Sequence, residues 1–243
     1  MTLDIVEQTI AAHGGLDLWD SAGEVGVQIS SGGLAFASKL QGHAVRDVEA
    51  RISTRGQHVT LTPYPGPGRR GVLDQDGTVS IETEDGELVE ARENARDAFR
   101  DLRHKLWWDR LDILYFATYA IWTYVSTPFV FTREDYQLSE LDPWVENGER
   151  WSRVAVTFPE HVHTHSRRQI FYVDANGLIR RHDYTAEPIG RWAKAAHYCL
   201  DHRSFDGLVV PTRRRVYPRK PNNQRRTGPL LVWIEMPRAA VRS

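Results

Sequence analysis

Polar and apolar residues alternate along two long stretches of the chain and fall at helical spacing elsewhere. Leu3, Val6 and Ile10 recur every three or four residues, with Asp4 and Glu7 in the first turn and Gly14-Gly15 as a stop. That pattern predicts a helix over residues 3–13. Leu16, Leu18 and Trp19 then read as an apolar plug leading into strands. Strand texture fills residues 24–91, as short alternating runs at 25–29, 34–36, 45–52, 59–61, 71–73 and 79–81. Asp76-Gly77 between the last two is a hairpin signal.

The pattern changes over residues 93–127, where a helical insertion is expected. Ala95, Ala98, Phe99, Leu102 and Leu106 make a helical stripe on an otherwise charged segment. Residues 113–131 follow, nineteen positions without a charge, close to the length of a membrane-spanning helix. Thr118, Thr123, Ser126, Thr127 and Pro128 interrupt the run, which predicts a buried helix over 110–127. A membrane-touching or membrane-spanning segment is the alternative. A helix apolar nearly all round must be covered on most sides, so something should wrap it. Alternation returns after Trp144, and residues 151–236 read as an antiparallel meander with turns at 174–177 and at Asp206-Gly207.

An N-terminal helix, a set of strands, a helical insertion and a second set of strands suit one α+β domain over residues 1–243. Its expected core is a single strongly curved antiparallel sheet, an open half-barrel with helices filling the concave face. The AAHGGLDLW stretch at 11–19 and the flanking meanders resemble the lipoprotein-carrier (LolA-like) fold in architecture. The resemblance implies a half-barrel that holds acyl chains or other apolar ligands. This chain differs in its aromatic insertion and in the Arg and His content of its later strands.

Charge adds a division the net value of −1 conceals. Residues 1–160 carry net −11, whereas 161–226 carry net +9 and six of the ten histidines. Internal neutralisation within one domain is the simpler reading, and no nucleic-acid motif accompanies the basic part. Cys199 is the single cysteine, which excludes an internal disulfide and a multi-cysteine zinc site. With Asp4 and Glu7 where a secretory signal needs positive charge, it argues for a cytoplasmic protein.

Candidate chemistry concentrates around His161, His163 and His165, which would share one face if they lay on a strand. Two of them could share a metal, but no third ligand is evident, so no metal and no cofactor is expected. A three-residue turn at 174–177 pairs His165 with Glu187, Arg167 with Thr185 and Gln169 with Asp183. A two-residue Asn-Gly turn instead brings His182 and Tyr184 to this face, because a one-residue slip exchanges faces. In Arg213-Arg214-Arg215 the middle residue must face opposite to its neighbours, so at least one should be buried, paired or aimed at an anion. Cys199 reads as a buried structural thiol.

These residues support three functions. The first is a binding protein holding a partly apolar small molecule, with Tyr115, Tyr119 and Trp122 as an aromatic wall and Arg167, Gln169 and Tyr184 at a polar end. The second is a cofactor-independent acid–base enzyme (an isomerase, cyclase or lyase). There His163 or His165 acts as acid or base, Asp183 or Glu187 orients it, and Arg167 stabilises an anion. The third is a protein–protein module that docks through the aromatic helix. No nucleic-acid partner and no stable membrane insertion are expected.

Overall fold

A computed structural model describes residues 3–101 and 103–243. Six strands precede the insertion: β1 (Glu24–Gly32), β2 (Val48–Ser53), β3 (Val59–Thr62), β4 (Arg69–Leu73), β5 (Val79–Thr83) and β6 (Leu88–Arg92). Seven follow it: β7 (Gln137–Glu146), β8 (Glu149–Thr157), β9 (Arg168–Val173), β10 (Ile179–Thr185), β11 (Lys194–Phe205), β12 (Leu208–Pro218) and β13 (Val232–Arg242). All thirteen join one sheet in the order β6-β5-β4-β3-β2-β1-β13-β12-β11-β10-β9-β8-β7. The pairings are antiparallel, including that of β1 with β13.

The chain therefore starts in the middle of the sheet, meanders to one edge at β6, and reappears at the opposite edge as β7. From there it meanders back to the middle. Both edges stay unpaired, so the sheet is a half-barrel and not a closed one. The chain between β6 and β7 must travel from edge to edge, and its described residues 93–101 and 103–136 do so across the concave side. The helices are α1 (Asp4–Ala12), α2 (Leu16–Ser21), α3 (Leu34–Ala37), α4 (Arg103–Leu106) and α5 (Arg110–Ser126).

The long helix α5 answers to the uncharged run, and every residue from Leu111 to Ser126 is buried. Its start is set by a reciprocal cap. The Asp109 carboxylate accepts from the backbone N–H groups of Leu111 (3.0 Å) and Asp112 (2.9 Å), and the Asp112 carboxylate accepts from the Asp109 N–H at 2.9 Å. Arg92 and Arg103 neutralise the pair. Helix hydroxyls turn back on their own backbone, as with Thr118 on Leu114 O (2.6 Å) and Thr123 on Tyr119 O (2.9 Å), so the polar interruptions cost little when buried. Among the described residues no helix is long and apolar enough to cross a membrane.

The helix packs against β2, β3, β4 and β5. Gly71 permits the approach, because a Cβ there would stand 2.5 Å from a Leu114 methyl. The main packing of α5 is on those four of the thirteen strands, and not on β10 to β13. The concave face of the other half of the sheet is therefore left for something else. Val6, Ile10, Trp19 and Phe129 plug its lower part, with Trp19 stacked on Phe129 at 4.5 Å.

Several local expectations are corrected. Residues 34–36 form α3 and not a strand, because Gly33 (φ 127°) ends the extended run and Phe36 turns inward to meet Phe116. The stripe at Ala95, Ala98, Phe99 and Leu106 forms only a short 3-10 turn at Asp97–Arg100 and α4; Leu102 lies outside the described residues. Residues 163–167 are a loop, and β9 begins at Arg168.

Candidate functional site

Between α5 and the uncovered strands lies a cavity of about 590 Å³, within the range of pockets that bury a whole small molecule. One face of α5 forms a wall through Phe116, Ala117, Ala120, Ile121 and Tyr124, and the two alanines leave the space. Ile29 of β1, Tyr184 of β10, Ala195 of β11, Val216 of β12 and Ile234 of β13 form the opposite wall. The exposed side chains of Leu34 and Trp192 also border it.

One end of this apolar space is polar, made by Tyr124, His165 and Tyr184. The loop carrying His165 is fixed on several sides. Gln57 bonds both backbone groups of His163 at 2.7 Å, Arg96 donates to Thr164 O at 2.7 Å, and the Glu187 N–H donates to His165 O at 3.1 Å. Both ring nitrogens of His165 are engaged: Nδ1 with the Tyr119 hydroxyl at 3.0 Å, Nε2 with the Tyr124 hydroxyl at 2.8 Å. The imidazole stacks on the Tyr184 ring at 4.0 Å. Tyr124 and Tyr184 hydroxyls meet at 3.3 Å, and Tyr184 reaches His197 Nδ1 at 3.4 Å. Behind them Gln169 bonds His182 and donates to Thr164 Oγ1 at 2.6 Å.

Burial holds this group neutral. It pushes His165 down to about 3, with the Arg96 charge adding to the effect, and drives His182 and His197 well below the ordinary imidazole range. The Tyr119, Tyr124 and Tyr184 phenols are held above their usual range, again chiefly by burial. The site is a lattice of uncharged donors and acceptors at neutral pH.

Of the residues singled out from sequence, His165 and Tyr184 line the cavity, with Tyr119 and Gln169 directly behind. His163 makes a separate pair with Tyr115 at 2.8 Å. Tyr115 and Tyr119 are one helical turn apart, a rise of about 6 Å, which matches the roughly 6.6 Å between alternate residues of an extended chain. His163 and His165 thus face one way, towards α5. Among the described residues no three His, Cys, Asp or Glu side chains stand together as metal ligands.

The other expectations do not converge. Trp122 points away and donates to Gly56 O at 3.0 Å. Arg167 pairs in solvent with Glu160. Glu187 pairs with Arg96 at 2.9 Å and does not orient an imidazole. Asp183 lies on the opposite face of the sheet, bound by Arg181 (2.7 Å) and the Tyr172 hydroxyl (2.8 Å). The reason is a register shift. Ile179 pairs with Val173, as the longer turn requires, but an irregularity between Ile179 and Arg181 moves the next pairs to Arg181–Tyr172, His182–Phe171 and Asp183–Ile170. His182 and Tyr184 therefore face inward and Asp183 outward, so the expected imidazole–carboxylate arrangement is not formed.

Sequence reasoning did not assign Tyr124 to the cavity wall, nor His197 and Arg214 to the layer behind Tyr184 and Tyr124. Tyr124 was visible only as one aromatic among several; its phase on α5 relative to Phe116 and Ala120 was the available signal. Arg214 faces inward as the middle of its triplet, while Arg213 and Arg215 face outward and pair with Asp201 and Glu235.

No family model matches the chain, and no curated protein matches it in sequence. Solved structures do match its fold. A LolA-superfamily protein from Nitrosomonas europaea superposes with a TM-score of 0.55 at 13% identity, over 98% of this chain and 92% of that one. A DUF1329-family protein from Desulfovibrio piger gives 0.53 at 12% identity, over 98% and 94%. A domain from Vibrio parahaemolyticus, described as an outer-membrane lipoprotein-sorting protein, gives 0.53 at 8% identity, over 99% and 92%. The chain has the LolA-like half-barrel fold.

Proposed function

We infer that this protein binds a small, largely apolar molecule, held between α5 and strands β10 to β13 with a polar atom at the Tyr124–His165–Tyr184 end. The observation that carries this reading is the cavity of about 590 Å³ walled by alanine, aliphatic and aromatic side chains. A well-packed domain keeps few voids larger than a water molecule, so a space this size beside a fully buried helix calls for an occupant. Its position supports the reading, since it occupies the part of the concave face that α5 leaves uncovered. Leu34 and Trp192 are 51% and 79% exposed beside it and give an apolar molecule a surface to cross on entry.

Native mass spectrometry of the freshly purified chain tests this. The expected spectrum shows one small molecule per chain, removable by organic extraction and replaceable by an added long-chain alcohol. A bare chain that takes up no single-chain amphiphile would overturn the reading.

A further inference from the structure

Among the described residues two buried positive charges lack a carboxylate partner: Lys39, at the cavity wall with its Nζ donating to the His104 carbonyl at 3.0 Å, and Arg214. Arg214 is 3% exposed. Its Nη2 donates to the Tyr124 carbonyl at 2.9 Å and its Nη1 to Cys199 Sγ at 3.3 Å, while Nε has no partner. Among the described residues no carboxylate lies within 4.0 Å of it. His13, His182, His197 and His202 surround the guanidinium as bases kept neutral by burial, and burial likewise holds up the Cys199 thiol. An unpaired buried cation is costly, and the lasting solution is a nearby anion.

The guanidinium sits 4.8 Å from the ring centroid of Tyr124, whose hydroxyl belongs to the polar end of the cavity. That end has hydrogens to give. A neutral imidazole donates once and accepts once, so Tyr119, Tyr124, Tyr184 and His165 together hold four donor protons. Only three bonds link the four groups. When Tyr119 donates to Nδ1, the surplus is the Tyr184 O–H at the cavity wall, whose one protein acceptor is His197 at a stretched 3.4 Å. The cavity lining includes Lys39, Lys194, Arg219 and Arg226 and, among the described residues, no Asp or Glu.

We propose that the molecule held in the cavity is an acidic amphiphile, a carboxylate on an apolar body, bound head inward with its acid group accepting the Tyr184 O–H beside Tyr124, whose ring Arg214 faces from outside the cavity. This rests on the reading of the cavity as an apolar-ligand site. The ligand's charge balances Arg214, the surplus phenol proton finds a strong acceptor, and the body fills the space beside Ala117 and Ala120. A neutral head would satisfy the donor and leave the charge unbalanced.

The test is competition for an environment-sensitive dye bound to the full chain at pH 8, using hexadecanoic acid, hexadecan-1-ol and methyl hexadecanoate. The acid should bind about tenfold or more tighter than the alcohol or ester, the size of effect a charge-assisted hydrogen bond carries. The preference should shrink to about twofold in Tyr184→Phe and in Arg214→Met. Tyr184→Phe removes a single oxygen, so it keeps the test available if Arg214→Met does not fold. Equal binding of acid and alcohol would overturn the acidic head and leave the cavity reading standing. A preference that survives Tyr184→Phe but disappears in Lys194→Ala/Arg226→Ala would overturn the inward orientation. Displacement by none of the three would overturn the cavity reading itself.

Discussion

Lowering the pH should destabilise this fold, and His165 gives the size of the effect. The imidazole is buried against Tyr119 and Tyr124 of α5 and Tyr184 of β10, with Arg96 as the nearby charge. Its pKa is about 3 in the fold, against 6.5 for an unperturbed histidine. Between those values the unfolded chain binds a proton that the folded chain refuses, so unfolding free energy rises with pH. The contribution is fully present above pH 6.5 and is lost as pH falls towards 3. From pH 7.5 to 5.0 this one group removes about 2 kcal/mol by that linkage. His13, His182, His197 and His202 shift in the same direction for the same reason and add to the slope. Asp109, held down at about 2 against the opposing effect of burial by its bonds to Arg92 and Asp112, acts only at lower pH; burial raises Asp183, so the comparison with a His165 variant is what isolates this imidazole. Urea unfolding at both pH values, for the parent and for His165→Gln, measures the effect. The variant should be less stable at pH 7.5, and its loss on going to pH 5.0 should be smaller by about 2 kcal/mol. An identical loss in both proteins would refute the claim that His165 is buried and neutral.

Three further outcomes follow from the geometry. Ala120→Phe should fill the cavity from the α5 wall, changing unfolding free energy by about 1–3 kcal/mol at most while weakening dye binding about tenfold or more. Asp109→Ala should cost about 1–2 kcal/mol in urea unfolding through loss of the α5 cap. Asp183→Asn should destabilise by about 3 kcal/mol because it breaks a buried ion pair. Dye affinity of the folded Asp183→Asn protein should be unchanged, since the carboxylate is across the sheet from the cavity; a change in affinity with intact stability would return Asp183 to the site.

What the sequence made legible follows from how strong each local signal was. The helix over 110–127 was readable because a long uncharged run was broken by hydroxyls, and α5 occupies Arg110–Ser126; the Asp109 cap that sets its start was not read from the sequence. The curved antiparallel sheet was readable from alternation and from the Asp76-Gly77 and Asp206-Gly207 turns, both of which close hairpins. Strand β7 was not, because it is an edge strand with little buried surface and shows no alternation. The site was half legible. Histidine density pointed to the loop and strands that border the cavity, but the inward choice of His182 and Tyr184 over Asp183 turned on one irregularity beside Arg180. No periodicity encodes such a shift. Arg214 was legible as the odd member of its triplet, but its lack of a counter-ion depends on which neighbours fold against it.

The most direct measurement is a crystal structure of the chain soaked with a long-chain alcohol brominated at its terminal carbon, with bromine located by anomalous scattering. The account predicts one bromine per chain, inside the half-barrel between Ala120 on α5 and the β10–β13 wall. Bromine found only at the exposed Trp192 or on the outer face of the sheet, with the cavity closed, would contradict it.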